Sequence, residues 1–180
     1  ALVDLSTFEG ADELEDWFIP GGLDPYTYQG GLYGIPITMY FHMVFYRKDI
    51  LEDLGVEPPE TWEELYEIIP IIQRNNMMVG LPYTVLSSQV TIDSGMGAKD
   101  LYPTLLMQHG GSFFNDDGAS VALDTPEAVA AFQEWVSFYT IYGFELQYDF
   151  YNRFRTGEVP IGIQNYSMYN QLSAAAPELK

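Results

Sequence analysis

The chain of 180 residues contains no cysteine and only seven basic residues. Without cysteine it has no disulfide, no thiolate nucleophile and no cysteine-bound zinc. This absence does not indicate whether the protein works in an oxidising or a reducing compartment. The seven bases stand against 26 acidic residues, which gives a formal net charge of −19 at pH 7. Because this charge repels phosphate backbones and anionic lipid headgroups, it argues against nucleic-acid binding and against a basic membrane-binding surface.

Long hydrophobic runs are also absent from the sequence. No stretch of about 18 apolar residues occurs, so no transmembrane helix is predicted. The first residues, Ala1-Leu2-Val3-Asp4, have neither the basic region nor the apolar core of a signal peptide. We expect either that a leader was removed or that the chain is a fragment of a longer protein, and the order of its elements favours the fragment.

Apolar and aromatic residues are plentiful by contrast. They make up 47% and 16% of the chain, and tyrosine alone occurs 14 times. This composition excludes a disordered chain in spite of the high net charge, and the length suffices for the core of one domain. Because tyrosine joins an apolar ring to a polar hydroxyl, its abundance suits a core and a stacking surface equally.

Strand-like and helix-like segments alternate along the chain, which predicts an α/β layered domain. The predicted strands cover residues 32–37, 41–46, 77–83 and 159–164. The second of these has large side chains on both faces, which is typical of a central strand. The predicted helices cover residues 48–54, a stretch from Thr61 onwards, 100–109, 126–143, 149–156 and 167–176.

Two of the predicted helices have clear sequence signals at their starts. Thr61 and Glu64 are predicted to form a capping box, in which each side chain accepts the backbone N–H of the other residue. The longest helix opens at Asp124-Thr125-Pro126-Glu127, with Asp124 predicted as its cap. Its predicted inner face consists of Val129, Phe132, Val136 and Tyr139. Between these helices, Asn115-Asp116-Asp117-Gly118 predicts the tip of a hairpin.

A set of short motifs in this order resembles one known family. The motifs are Tyr33-Gly34-Ile35-Pro36-Ile37, Val44-Phe45-Tyr46-Arg47-Lys48-Asp49, the segment GVEPPETW at residues 55–62, Gly110-Gly111, Asp116-Asp117-Gly118, Leu123-Asp124-Thr125-Pro126-Glu127-Ala128 and Phe154-Arg155-Thr156-Gly157 with Ile161-Gly162-Ile163. Together they resemble extracellular solute-binding protein family 1, to which maltose- and oligosaccharide-binding proteins belong. The resemblance runs from about Tyr33 to Tyr169.

The resemblance implies a type II periplasmic-binding-protein-like fold, whose lobes each have a central mixed sheet flanked by helices. Residues 1–34 would be a tail segment of the N-terminal lobe. Residues 35–180 would be the main part of the C-terminal lobe, including the first crossing between lobes. The implied function is binding of a solute, expected to be a carbohydrate, for an ABC importer outside the cytoplasmic membrane. The implied partners are the solute and the permease, and a membrane anchor is expected in the full-length protein. The sequence does not indicate an oligomeric state, so a monomer is the default expectation.

The resemblance also implies where a ligand would contact this chain. Tyr40 follows the crossing strand, where the family has a ligand-facing polar residue, although hinge packing is the alternative. Tyr83, Asp100 and Tyr102 belong to the family's variable ligand-facing segment, and Asp100 is equally an ordinary helix cap.

Asn165 and Tyr166 follow the last strand, at the position where open α/β sheets generally bind ligands. The sequence departs here from the family's Gly-x-Trp pattern, so the exact stacking residue is open. His42 is interpreted as a hydrogen-bonded histidine of the sheet. Trp62 and Trp135 are interpreted as core residues.

Other classes of function remain alternatives at this stage. Asp116, Asp117 and Asp124 are acids that a glycoside hydrolase could pair, but the first two lie in a predicted turn and the third at a helix start. The turn also lacks the spacing and the final glutamate of a calcium loop. We therefore expect a binding protein without catalytic residues, metal or cofactor. The alternatives are a carbohydrate-active enzyme and a surface adhesion or scaffold domain.

Overall fold

The computed structural model describes residues 2–38, 41–82, 98–145 and 148–179. The chain divides into two compact units, Ala1–Phe41 and His42–Lys180.

The first unit is built from short 3-10 helices and a small hairpin. The helices are Leu5–Thr7, Ala11–Trp17 and Asp24–Tyr26, and the hairpin pairs β1 (Thr27–Tyr28) with β2 (Gly31–Leu32). The Asp4 carboxylate holds them together, because it accepts the backbone N–H of Ser6 at 3.0 Å and that of Leu32 at 3.1 Å.

A strand is predicted over residues 32–37, but the observed strand β2 ends at Leu32, so the prediction is wrong for residues 33–37. Gly34 has little preference for a strand, and Pro36 has no N–H to donate.

The second unit contains a mixed sheet, as predicted. Its strands are β3 (His42–Tyr46), β4 (Val79–Gly80) and β5 (Ile161–Asn165), in the order β3-β5-β4. Strand β3 runs antiparallel to β5, and β4 runs parallel to it. The prediction that β3 is central is wrong for the described sheet, in which β5 is the middle strand.

Helices surround this sheet. They are α1 (Lys48–Leu54), α2 (Trp62–Arg74), α3 (Ala98–Gln108), α4 (Pro126–Thr140), α5 (Phe150–Thr156) and α6 (Ser167–Ala175), followed by a 3-10 turn at Pro177–Leu179. The cap at Thr61 is confirmed, because its hydroxyl accepts the Glu64 N–H at 3.2 Å. The reciprocal half of the capping box is wrong, because the Glu64 carboxylate accepts the N–H of Glu60, at 2.7 Å, instead of that of Thr61. Glycines in the left-handed region end α1 and α5, Gly55 at φ 68° and Gly157 at φ 89°. Helix α2 continues through Pro70 to Arg74.

The two faces of the sheet belong to two apolar cores. Val79, Ile161 and Ile163 lie on one face and pack with residues of α2, α3 and α4. Phe45 lies on the other face with residues of α5 and α6. This alternation follows from the strand period of two, and it gives helix, sheet and helix layers.

Arg47 explains why the sequence from Tyr46 to Asp49 forms a stable corner. Its guanidinium donates to both carboxylate oxygens of Asp49, at 2.8 and 2.6 Å. It also donates to the carbonyls of Phe154 and Arg155, at 3.3 and 3.1 Å. A cation at these last carbonyls of α5 stabilises the negative end of that helix, so β3, α1 and α5 are fixed together.

Helix α4 begins and packs differently from the prediction. Thr125, rather than Asp124, is the cap, and its hydroxyl accepts the Ala128 N–H at 3.3 Å. Val129 and Phe132 are exposed, whereas the buried residues of the helix are Ala128, Ala131 and Phe138. The predicted inner face is therefore wrong for Val129 and Phe132, whereas Tyr139 packs partly buried against the first core. The small alanines let α4 approach its neighbours closely. The spacing of large apolar residues in the sequence does not predict this alanine face.

Trp62 and Trp135 are both partly buried against the first core, as expected.

Candidate ligand-binding site

The carboxyl end of β5 brings together two of the predicted site residues. Strand β5 ends at Asn165, Tyr166 follows directly, and α6 begins at Ser167. Strand β4 is parallel to β5 and ends at the same edge of the sheet, while β3 is antiparallel and begins there with His42 opposite Asn165. This edge is the place where open α/β sheets bind ligands.

Asn165 has a structural role at this edge. Its residue is only 8% exposed. Its side-chain oxygen accepts the N–H of Ser167 at 2.9 Å, which satisfies a free donor at the start of α6. Its own N–H donates to the side-chain oxygen of Gln164 at 2.9 Å. These bonds fix the turn that presents Tyr166.

Tyr166 and Tyr169 form an exposed aromatic surface, which we call the tyrosine pair. They are 39% and 54% exposed. Their ring centroids lie 5.8 Å apart, and the planes are inclined by 18°. Residues three apart on a helix are neighbours, so α6 holds the second ring beside the first. Flat apolar faces with phenolic groups at their rim suit a ligand that carries both C–H surfaces and hydroxyls.

The other predicted site residues lie elsewhere or outside the described residues. Tyr40 and Tyr83 lie outside them, and so does the side chain of Asp100. Helix α3 begins at Ala98, so the backbone of Asp100 is in the first turn and does not form the helix cap.

Tyr102 is partly buried between α3 and α4. Its hydroxyl donates to the carbonyl of Ala128 at 3.4 Å, and its ring lies 5.8 Å from that of Trp135. These contacts give Tyr102 a packing role, and a ligand contact for Tyr102 stays a prediction.

A cavity of about 290 Å³ lies on the sheet face that carries Ile163, beneath the start of α2 and along α3 from Leu101 to Gln108. Its walls are mainly apolar and include Val44 and Leu65. Trp62 and Gln108 also line it, and the indole N–H donates to the Gln108 side-chain oxygen at 2.9 Å. None of the predicted site residues with described side chains is in its lining.

His42 lines the same cavity and corrects one interpretation. The expectation of a hydrogen-bonded sheet histidine is wrong for its Nε2 atom, which is buried without a partner among the described residues. The sequence carries no signal for this, because the missing partner depends on which segment lies beside β3. A buried imidazole nitrogen without a partner is unfavourable by about 1–3 kcal/mol.

The described residues hold no group of three or more histidines and acids arranged for a metal ion. In the same residues, no helix combines the length and apolarity needed to cross a bilayer.

Comparison with known proteins identifies the family. A family model described as bacterial extracellular solute-binding protein matches residues 1–180. The chain belongs to this family. A binding protein of Brucella abortus (strain 2308) is 29% identical over 182 residues, which cover 94% of this chain and 41% of the relative. The arabinooligosaccharide-binding protein of Halalkalibacterium halodurans is 28% identical over 122 residues, 66% of this chain and 24% of the relative.

Solved structures of solute-binding proteins have the same fold. The cyclic alpha-maltosyl-1,6-maltose binding protein of Arthrobacter globiformis matches with a TM-score of 0.76 and 25% identity, over 98% of this chain and 44% of that one. A solute-binding protein of Thermotoga lettingae bound to alpha-D-tagatose matches with a TM-score of 0.72 and 23% identity, over 99% and 46%. The predicted periplasmic-binding-protein-like fold is confirmed. The chain spans less than half the length of these relatives, which are solute-binding proteins rather than enzymes.

Proposed function

We propose that this chain is part of a solute-binding protein that captures a carbohydrate between two lobes and delivers it to an ABC permease. The observation that carries the proposal is the family match, which extends over all of residues 1–180. In this proposal residues 1–34 are the tail of the N-terminal lobe, and residues 35–180 are the main part of the C-terminal lobe. The protein works outside the cytoplasmic membrane, held there by an anchor.

The tyrosine pair supports the ligand class. Aromatic faces bind the C–H faces of sugar rings, because both surfaces are apolar and flat, while hydroxyls at the rim bind polar groups. The chain has seven bases against 26 acids, so it is poorly equipped to clamp an anion. Relatives are named for arabinooligosaccharide and diacetylchitobiose, both neutral sugars. We therefore propose a neutral oligosaccharide as the ligand.

The mechanism is a shift of population between open and closed forms. Ligand that contacts both lobes stabilises the closed form by its extra affinity for that form, and the permease recognises the closed form. Residues of one lobe supply only part of the contacts. Residues 1–180 alone are therefore expected to bind the ligand weakly, and the protein is expected to release it unchanged, without glycosidic bond cleavage.

The proposal is tested with the full-length protein. A thermal-shift screen with maltose, arabinooligosaccharides and diacetylchitobiose identifies a binding sugar, and calorimetric titration then gives its Kd. In Tyr166→Ala the loss of one stacking face, worth about 1–2 kcal/mol, weakens binding by about 5- to 30-fold. Tyr169→Ala has a similar effect.

Phe114→Ala is the matched control, because Phe114 is an exposed aromatic residue on the hairpin around residues 113–123. Its Kd is expected to stay within about twofold of the original. Equal Kd values for Tyr166→Ala and the unsubstituted protein would remove the tyrosine pair from the site. Stabilisation by no sugar, or turnover of a chromogenic glycoside, would contradict the proposed function itself.

A further inference from the structure

The face of α6 that carries the tyrosine pair also carries an exposed carboxamide, that of Asn170. Tyr166 has helical backbone angles, φ −52° and ψ −28°, so the spacing of the helix applies from this residue onward. Tyr169 follows it by three residues and Asn170 by four, and residues so spaced are neighbours, with Cβ atoms about 5–6 Å apart. Tyr169 and Asn170 therefore flank Tyr166, one on each side.

The opposite face of α6 packs into the second core. Met168 is buried there, and Leu172 is partly buried. Because these two residues fix α6 on the sheet, the face with Tyr166 and Asn170 is turned toward solvent beside the carboxyl end of β5. A rigid helix thus holds the carboxamide next to the aromatic surface.

The carboxamide of Asn170 is available to a ligand. Among the residues that the structure describes, none forms a hydrogen bond with it. Asn165 differs in this respect, because it is only 8% exposed and its side-chain oxygen accepts the Ser167 N–H at 2.9 Å. Asn165 builds the turn that begins α6, whereas Asn170 has both its oxygen and its NH₂ group available for hydrogen bonds.

The stretch of chain around Asn170 is uncharged. Residues 159–177 contain neither an acidic residue nor a lysine or arginine, although the whole chain has 26 acids and seven bases. Polar recognition on this face therefore depends on neutral groups. A carboxamide has an acceptor oxygen and a donor nitrogen side by side in one plane. Two adjacent hydroxyls of a sugar ring match this arrangement, since one can donate to the oxygen while the other accepts from the nitrogen.

We propose that Asn170 is a specificity-determining residue, whose carboxamide binds two adjacent hydroxyls of the sugar ring that stacks on Tyr166. The ligand is then a sugar with an unsubstituted vicinal diol at the edge of its apolar face. This proposal rests on the proposed function and adds to it the residue that distinguishes one neutral sugar from another.

Asn170 supplies what the tyrosine pair lacks. An aromatic ring stacks on the flat C–H face of many sugars, so stacking alone selects weakly among them. A site that forms hydrogen bonds to particular hydroxyls discriminates against an analogue without them, because polar groups of the site are then left without a partner.

Calorimetric titration of the full-length protein tests the proposal. The probes are maltose, arabinotriose and diacetylchitobiose, and the one that binds most tightly is titrated again as its monodeoxy analogues. Asn170→Ala is expected to weaken binding of the parent sugar by about 3- to 10-fold, the effect of losing neutral hydrogen bonds. Alanine favours a helix, so α6 is retained, and circular dichroism checks this.

Gln171→Ala is the matched control. Gln171 is also an exposed carboxamide on α6, but it lies five residues from Tyr166 and hence on a different face of the helix. Its Kd is expected to stay within about twofold of that of the unsubstituted protein.

The monodeoxy analogues give a measurement that a merely structural role of Asn170 would not change. Removal of either of two adjacent hydroxyls is expected to weaken binding to the unsubstituted protein by about 3- to 10-fold. The same analogues are expected to bind Asn170→Ala as tightly as the parent sugar does, because the partner of these hydroxyls is already gone.

Tyr166→Ala, titrated in parallel, separates this proposal from the proposed function. Weaker binding by Tyr166→Ala together with an unchanged Kd for Asn170→Ala would overturn the role of Asn170 and leave the proposed function standing. The role of Asn170 would also be overturned if Asn170→Ala weakened the parent sugar and every analogue by the same factor, or if Tyr166→Ala left the Kd unchanged. Binding of none of the three sugars would contradict both proposals.

Discussion

A single carboxylate, Glu134, connects three helices, and removing one of its partners gives a sharp test of the packing. Glu134 on α4 accepts a hydrogen bond from the hydroxyl of Tyr66 on α2. Its other oxygen lies 2.6 Å from Nε2 of His109, which follows α3. The Glu134 side chain is only 19% exposed, so these bonds replace most of its hydration.

The substitution Tyr66→Phe removes the hydroxyl and keeps the ring. Its stacking on Tyr142, with centroids 5.1 Å apart, is retained. A hydrogen bond to a charged acceptor contributes about 1.5–3 kcal/mol. We therefore expect the free energy of unfolding to fall by that amount at pH 7, with a decrease in Tm of about 3–12 °C.

The pH dependence separates this cause from lost packing. Burial, and then the bond to Glu134, raises the pKa of Tyr66 above its ordinary value near 10. In the unfolded chain the phenol ionises at about pH 10 while the folded form keeps its proton. The stabilisation is therefore complete below pH 10 and declines above it, by at most about 1.4 kcal/mol per pH unit. Tyr66→Phe lacks this decline, so the difference between the two proteins narrows above pH 10.

Urea unfolding followed by circular dichroism, at pH 7 and from pH 10 to 11, measures both effects. Tyr169→Phe is the control, because it removes the hydroxyl of an exposed tyrosine and should change stability by less than about 0.5 kcal/mol. The reasoning would be refuted if Tyr66→Phe lowered the free energy of unfolding as little as the control does. It would also be refuted if the difference in this free energy between Tyr66→Phe and the unsubstituted protein stayed constant up to pH 11.

Two further predictions concern the sheet and the hairpin. In Gly162→Ala the new Cβ would lie 2.5 Å from the Gly80 carbonyl oxygen and 2.6 Å from Phe150. We expect the free energy of unfolding, measured by chemical denaturation, to fall by about 1–3 kcal/mol. An unchanged denaturation midpoint would contradict this. Hydrogen bonds, first from the backbone N–H and then from the hydroxyl of Ser120, lower the pKa of Asp117 to about 2. The stabilisation that results is present above pH 4 and is lost as the pH falls toward 2. Ser120→Ala removes the hydroxyl and should raise the pKa of Asp117. An NMR titration of Asp117 with an unshifted midpoint in this variant would contradict the prediction.

Local signals in the sequence predict three of the helix ends. The cap at Thr61 and the stops at Gly55 and Gly157 depend on the backbone and side chain of a few neighbouring residues, and the structure confirms them. The position of β3 depends instead on β5, which is distant in sequence, so composition alone does not predict that β5 is the middle strand of the described sheet. The buried face of α4 was missed for a related reason, since close helix packing favours alanine over a larger apolar residue.

In the candidate site, too, local patterns are predicted from the sequence and contacts between distant residues are not. Asn165 and Tyr166 were placed correctly at the end of a strand, because a strand followed by a helix is a local pattern. Tyr169 carries the same signal three residues later, and only the ring stacking in the structure makes it the partner of Tyr166. The ligand contacts of all six predicted residues stay predictions. The unpartnered nitrogen of His42 could not be read from the sequence, because hydrogen bonds between distant segments leave no local pattern.

The order of the strands in the sheet has a consequence for the newly made chain. Strand β5 lies between β3 and β4, yet it is synthesised last of the three. Until the ribosome has released residues 161–165, β3 and β4 lack the strand with which both of them pair in the described sheet. The hydrogen bonds between β3 and β5 can form only after a very long loop has closed. During that interval the apolar residues of β3 are open to other nascent chains, so a holding chaperone is expected to recognise this segment during synthesis.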